Sequence, residues 1–304
     1  MKVWINGSFI DDASASVSIF DAGFQHGVGL FETMHARHGR VFRPHQHMQR
    51  LADSAAELRL AEQLQPDPLV EALQSCLQEN SLKDARIRLT LTGGDLNLLQ
   101  QTGDSASMTP TIIVQAQPPT EYPPSLYADG VYASLASGRV NPHDLMAGHK
   151  TVNYWARLLN LQLASMYRCG EAIWLTPSAH LASGCVSNIF IVRDGTLFTP
   201  IARGEEEPSG EPSSVLPGIT REAIIEVADA AGIGTSRSML TLDDLLEGEE
   251  AFMVNSSWGI MPLVGITAAT AEGEQRQPLG AGEVGEITRM LRSSYEDLVD
   301  SETG

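Results

Sequence analysis

A few short segments of this chain carry residues able to do chemistry. In LMAGHKTVNYWARLLNLQLA, residues 145–164, one lysine, Lys150, stands between a glycine turn and a run patterned as an amphipathic helix. Trp155, Leu158, Leu159 and Leu163 recur at helical spacing, while Arg157, Asn160 and Gln162 fill the other faces. A lysine becomes a nucleophilic amine when partial desolvation lets it lose its proton, and Met146, Ala147 and Trp155 are the neighbours able to desolvate this one. Taken alone, Lys150 reads equally as a solvated cation. LPGITRE, residues 216–222, puts Gly218, Ile219 and Thr220 at a helix start, where free N–H groups and the helix dipole favour an anion; an ordinary cap is the alternative. NSSWG, residues 255–259, offers the hydroxyls of Ser256 and Ser257 after an apolar strand, or is a plain polar turn. HMQRL sets His47 and Arg50 on one helix, with a solvated arginine as the default reading.

Other patterns carry less. Gly27-x-Gly29 lacks the rest of a dinucleotide fingerprint. His45 and His47 are too isolated to read as a metal site, so none is expected. Glu205 to Glu207 reads as a solvated charge run in a mobile loop, ARGEEEPSGEPSS.

The elements that must position these residues follow from periodicity and turn residues. KVWINGSFI predicts a hairpin about Asn6-Gly7. VSIFD and GLFETMHARHGRVFRP predict strands, the latter turned at His38-Gly39. Apolar spacing predicts helices over 45–60 and 67–79, and ARIRLTLTGG and TPTIIVQAQP predict strands. PPTEYPPSLYADG is proline-rich and reads as a linker. The expected division is therefore a smaller N-terminal α/β domain over 1–117, a linker over 118–127 and a larger domain over 128–304. In the second half, EAIWLTP, SNIFIVRDG, TLFTP and EAFMVNSSWGIMPL predict strands, and GITREAIIEVADAAG and GEVGEITRMLRSSYEDLVD predict helices.

Composition bounds the rest. Hydrophobic residues make up 42% of the 304, enough for a real core, and the net charge of −18 repels nucleic acid and anionic membrane. Three cysteines without C-x-x-C spacing fit a reducing compartment. The N-terminus turns polar by Asn6, too early for a signal peptide, and no run is long enough to span a bilayer, so a cytoplasmic protein is expected.

Taken together and in order, WINGSFI, FDAGFQHGVGLFET, HMQRL, RLTLTGG, HKTVNYW, ASGCVSNIFIVRDGTLFTP, LPGITRE and FMVNSSWGIMPL resemble the class IV (fold-type IV) pyridoxal-phosphate enzymes. That family includes branched-chain aminotransferases, D-amino-acid aminotransferases and aminodeoxychorismate lyases, and the resemblance runs over nearly the whole chain. It implies an α/β (α+β) fold of two α/β domains with pyridoxal 5'-phosphate (PLP) between them, and a homodimer. It gives Lys150 the Schiff base with the cofactor and the proton shuttle at the substrate carbon. It gives Arg50 the cofactor phosphate, together with Ile219 and Thr220 at the helix start, and Ser256, beside Ser257, where relatives usually carry a threonine.

The chain also departs from the family pattern. In ASGCVSN, Ser183 stands where the family's glutamate faces the pyridine nitrogen, and a serine cannot hold a proton there by charge. Gly93 in LTGG replaces an arginine that grips the substrate carboxylate in D-amino-acid aminotransferases, a task left to Arg139 or His149. His26 and Val28 replace a frequent aromatic and aspartate, which makes His26 a second candidate substrate contact. K-T-V-N and LFET lean toward the D-amino-acid aminotransferase and lyase side. The expected activity is an aminotransferase acting on an amino acid and a keto acid. The alternatives are a 4-amino-4-deoxychorismate lyase releasing pyruvate, and a PLP-binding protein with little catalysis.

Overall fold

The computed structural model of the chain describes residues 1–95, 109–270 and 273–304. They divide into two compact units. Residues 1–120, 149–153 and 299–304 make the first, and residues 121–148 and 154–298 the second.

The first unit opens with the expected hairpin, β1 (Lys2–Ile5) and β2 (Ser8–Asp11). Asn6 and Gly7 turn it at φ 45° and 93°. Positive φ at both central positions matches the right-handed twist of the strands, and Asn-Gly adopts it at little cost. After the short helix α1 (Ala22–His26) comes a second hairpin, β3 (Gly29–Arg37) and β4 (Arg40–Val41), turned by His38 and Gly39 at φ 54° and 81°. Helices α2 (Pro44–Glu57) and α3 (Pro66–Glu79) precede β5 (Ala85–Thr92) and β6 (Thr111–Gln117). The six strands form an antiparallel sheet in the order β2-β1-β6-β5-β3-β4. One face is the core. Met48, Leu51 and Ala55 of α2 and Leu69, Leu73 and Leu77 of α3 pack with Met34, Ile87, Leu89 and Val114 of the sheet. Leu73 is wholly buried, so its truncation to alanine costs about 2–5 kcal/mol.

VSIFD does not form the expected strand; Ile19 and Phe20 are exposed in a turn. Asp21 is the reason. Its carboxylate accepts from the Gly23 amide (2.7 Å) and from the hydroxyls of Thr92 (2.7 Å) and Thr111 (2.8 Å). Capping α1 in this way competes with a strand ladder for the same stretch of backbone.

The second unit begins with α4 (Pro124–Ala128), inside the proline-rich stretch read as a linker, and β7 (Val131–Arg139). There follow α5 (Trp155–Met166), β8 (Glu171–Leu175), β9 (Leu181–Gly184), β10 (Asn188–Arg193) and β11 (Thr196–Pro200). Next are α6 (Ile219–Ala230), β12 (Thr235–Ser238), α7 (Leu242–Leu246), β13 (Glu250–Asn255), β14 (Gly259–Thr270), β15 (Gly273–Pro278) and α8 (Glu286–Thr303). The sheet runs β12-β11-β10-β13-β14-β7-β8-β9, with β15 also on β14. Pairing is parallel at β11–β12, β7–β14 and β7–β8 and antiparallel elsewhere. Every residue of β8 and β9 is buried, so the strands beside the 183–188 turn carry a continuous core and hold that turn firmly.

Two expectations for this unit are corrected. The 203–214 loop is not simply a solvated charge run. Arg221, the largest fully buried side chain, holds Glu205 through two guanidinium nitrogens at 2.8 Å each, and Glu206 accepts from the Ser213 amide. A buried guanidinium requires a carboxylate partner, and this loop supplies it. Helix α5 packs by the opposite face from a usual amphipathic helix. Asn160, 5% exposed, accepts from the Ser137 amide (2.8 Å) and hydroxyl (3.0 Å). Trp155 and Met166 are 64% and 75% exposed, and Leu158, Leu159 and Leu163 face outward with them.

Candidate active site

Lys150 lies on an extended segment, not on the first turn of a helix, because α5 starts only at Trp155. That segment is bound to the start of β3. The Phe31 amide donates to Lys150 O (2.9 Å), the Val152 amide donates to Gly29 O (3.0 Å), and Leu30 bridges Thr151. A Cβ at Gly29 would stand 2.5 Å from Leu91 O, so only glycine lets the three backbones meet. Lys150 Nζ lies 4.6 Å from the centroid of the Phe31 ring, which gives the ammonium a partly apolar neighbour. Met146 and Trp155, the residues the sequence offered for desolvation, are both exposed.

Beside this strand sits a buried charge cluster. β3 carries Glu32 inward, and α2 presents His47 and Arg50 three residues apart on one face. Arg50 donates to Glu32 through Nε (2.9 Å) and Nη2 (2.6 Å), and His47 Nδ1 is 2.7 Å from Glu32 Oε2. Burial pushes the Glu32 carboxyl up, but the Arg50 charge and the His47 hydrogen bond outweigh it and hold the group at about 2. Burial drives His47 below its ordinary value despite Glu32, so the neutral imidazole donates from Nδ1 to a carboxylate. Glu32 left one sign of itself in the sequence, a lone acid inside the apolar run GLFET.

In the second unit, Gly218 precedes α6 and no side chain caps the helix. The first-turn amides, which have no partner within a helix, are left to a ligand. Thr220 Oγ1 is 3.3 Å from Ser256 Oγ, so two hydroxyls converge beside these amides. Asn188 shapes the approach: its Nδ2 donates to Leu216 O (2.9 Å), and a Cβ on residue 218 would collide with its Oδ1. Asn255 Oδ1 accepts from the amides of Ser257 (2.7 Å) and Trp258 (3.1 Å), fixing the turn that carries Ser256.

Ser183 lies near the end of β9 and is 5% exposed. Arg157 donates through Nη1 to Ser183 Oγ (3.2 Å), Gly184 O (2.8 Å) and Cys185 O (3.3 Å). The Tyr154 hydroxyl donates to Cys185 O (2.9 Å). Behind the turn, the fully buried Glu171 carboxylate accepts from the amides of Ala172, Cys185 and Val186 and from Ser187 Oγ. Burial pushes the Glu171 carboxyl up despite these four donors. Tyr154, Arg157 and Glu171 were not singled out by sequence reasoning. Arg157 in particular was read as one of the polar residues off the apolar stripe of α5.

The remaining candidates lie apart from these groups within their own units. His26 is exposed at the end of α1. His149 is turned onto α2, with Nδ1 3.0 Å from Ser54 Oγ. Arg139 is exposed and donates to Gly138 O (3.0 Å).

Residues 29–266 match the profile of the family described as amino-transferase class IV. The chain belongs to this family. A putative branched-chain-amino-acid aminotransferase of Methanocaldococcus jannaschii is 34% identical over 301 residues, 98% of this chain and 96% of that protein. The branched-chain amino acid aminotransferase of Escherichia coli superposes with a TM-score of 0.86 at 28% identity, over 100% of this chain and 96% of that one. A third relative, a thermophile's branched-chain amino acid aminotransferase (source abbreviated T.th.) solved with pyridoxamine 5'-phosphate, has the same fold. Its TM-score is 0.84 at 24% identity, over 99% and 94% of the two chains. This class IV chain is thus an enzyme of the fold-type IV architecture expected from its motifs.

Proposed function

We propose that this class IV enzyme binds pyridoxal 5'-phosphate and transaminates a branched-chain amino acid, the substrate class named for its relatives. The observation that carries the reading is the start of α6. Uncapped amides, the Thr220 hydroxyl and the Ser256 hydroxyl 3.3 Å away make an anion cradle suited to a phosphate ester. Ile219 and Thr220 would bind the phosphate through their amides, Thr220 and Ser256 through their hydroxyls, with Ser257 adjoining. Arg50 would add its charge, and Glu32 and His47 set the orientation of its guanidinium.

Lys150 supplies the amine that would hold the cofactor covalently. Its Nζ then moves the proton on the substrate's α-carbon, work that suits an amine facing an aromatic ring rather than bulk water. The cofactor supplies the electron sink, and the chain supplies binding, orientation and proton movement. Arg139 and His26 are the proposed contacts for the substrate. The outward apolar face of α5 supports a homodimer, because five large apolar side chains on one helix are unlike a monomer surface. No described helix is long and apolar enough to cross a membrane.

The absorbance spectrum of the purified protein with PLP, recorded with separate L- and D-amino acids, tests this reading. A visible band that bleaches with a branched-chain amino acid supports it and fixes the handedness. A band that persists with every amino acid, together with pyruvate release from aminodeoxychorismate, would replace it with the lyase reading. A protein that takes up no PLP overturns it.

A further inference from the structure

Ser183 stands where an acidic partner for the cofactor ring nitrogen is expected, and the structure puts a cation behind it. Arg157 Nη1 donates to Ser183 Oγ, so one lone pair of that hydroxyl is occupied by a guanidinium. The hydroxyl is left to act as a donor. Its proton goes to Gly184 O at 2.9 Å, but that carbonyl already accepts from Arg157 at 2.8 Å. Turning the Ser183 proton to a better acceptor therefore leaves the carbonyl satisfied.

We propose that Arg157, acting through Ser183, keeps the ring nitrogen of the bound cofactor unprotonated, as an acceptor of the Ser183 hydroxyl proton. The proposal rests on the PLP reading above. Two physical effects act in the same direction. A hydrogen bond donated to the neutral base stabilises that form, and a fixed guanidinium close by opposes a second positive charge. Arginine serves because it does not lose its own proton. The carboxylate behind this turn offers no competing effect. Both Glu171 oxygens are engaged by backbone amides and Ser187 Oγ. The Arg157 guanidinium is itself bordered by the rings of Tyr154 and Trp174, at 5.8 and 5.7 Å, and by the carbonyls of residues 184 and 185. Arg157 is thus a positioning residue. It sets the role of Ser183, and an unprotonated ring withdraws fewer electrons from the substrate carbon.

The test is nitrogen NMR of the holoprotein reconstituted with PLP labelled at the ring nitrogen, run beside the absorbance measurement that reports PLP uptake. The wild-type resonance is expected at the unprotonated pyridine position at neutral pH. Ser183→Glu should move it to the protonated position. Arg157→Gln should raise the pH at which the nitrogen protonates, while Arg157→Lys should restore wild-type behaviour. A residue that merely braced the turn would change PLP uptake without moving the resonance. Bound PLP with a protonated ring in the wild type overturns the proposal and leaves the PLP reading intact. Absence of PLP uptake overturns both. If Arg157→Gln does not fold, the wild-type spectrum and its comparison with Ser183→Glu still decide the matter.

Discussion

Glu32 holds Arg50 by two hydrogen bonds, from Nε at 2.9 Å and Nη2 at 2.6 Å, on a carboxylate that is 1% exposed. Because the folded-state carboxyl is held at about 2, below its ordinary value of 4.5, its contribution to stability is complete above pH 4.5. It is lost as pH falls from there toward 2, amounting to about 3 kcal/mol. Urea unfolding of the wild type should show this loss across that interval. Glu32→Gln should be less stable at neutral pH and show a flatter dependence through the same window.

The anion cradle predicts a graded loss of cofactor. A hydrogen bond to a charged group contributes about 1.5–3 kcal/mol, so Thr220→Val and Ser256→Ala should each weaken PLP binding about ten- to a hundredfold. Equilibrium dialysis against PLP measures this directly. Unchanged affinity in both variants would remove the cradle from the account.

Glu205 ties an acidic loop to the buried Arg221, and Arg237 reaches the same carboxylate at 3.0 Å. Glu205→Ala leaves Arg221 buried with a neutral hydroxyl and a carbonyl as its remaining neighbours, and should cost about 3 kcal/mol in urea unfolding. Glu207→Ala, in the exposed part of the same loop, should be near neutral by comparison.

Helix α5 predicts an association state. Leu159→Asp, on its outward face, should shift sedimentation toward the monomer while leaving the far-ultraviolet spectrum unchanged. Sedimentation identical to wild type would show that this face is not the contact between subunits.

The three thiols should be silent in the native state. Burial pushes Cys76 and Cys169 up, and burial with the adjoining Glu171 charge pushes Cys185 up to about 12. Iodoacetamide at neutral pH should label none of them before denaturation and all of them after it.

The parts legible in the sequence were those written in local chemistry. Asn6-Gly7 and His38-Gly39 specify their hairpins, and the apolar spacing of α2, α3 and α6 specifies their buried faces. The family motifs brought Thr220 and Ser256 into one role before their 3.3 Å approach was seen. What stayed hidden depends on neighbours distant in the chain. Glu32 is read correctly only beside Arg50 and His47 of another element, and Arg157 only beside a turn near residue 184. The stripe of α5 was found, but periodicity says which residues share a face and not what covers it. VSIFD failed because one side chain, Asp21, drew its backbone into a cap.

The first unit takes in residues 149–153 and 299–304 as well as the opening 120. Within it, Arg43, 8% exposed, grips Glu302 through Nε at 3.2 Å and Nη2 at 2.8 Å, and Arg37 holds Asp300 at 2.8 Å. During synthesis, then, this unit cannot reach its final form when its sheet has left the ribosome. It waits with a buried arginine lacking its counter-charge until the second unit has been made. The segment bearing Lys150 reaches β3 only in the middle of that interval, so the reactive amine is installed on a scaffold whose last ion pairs are still to come.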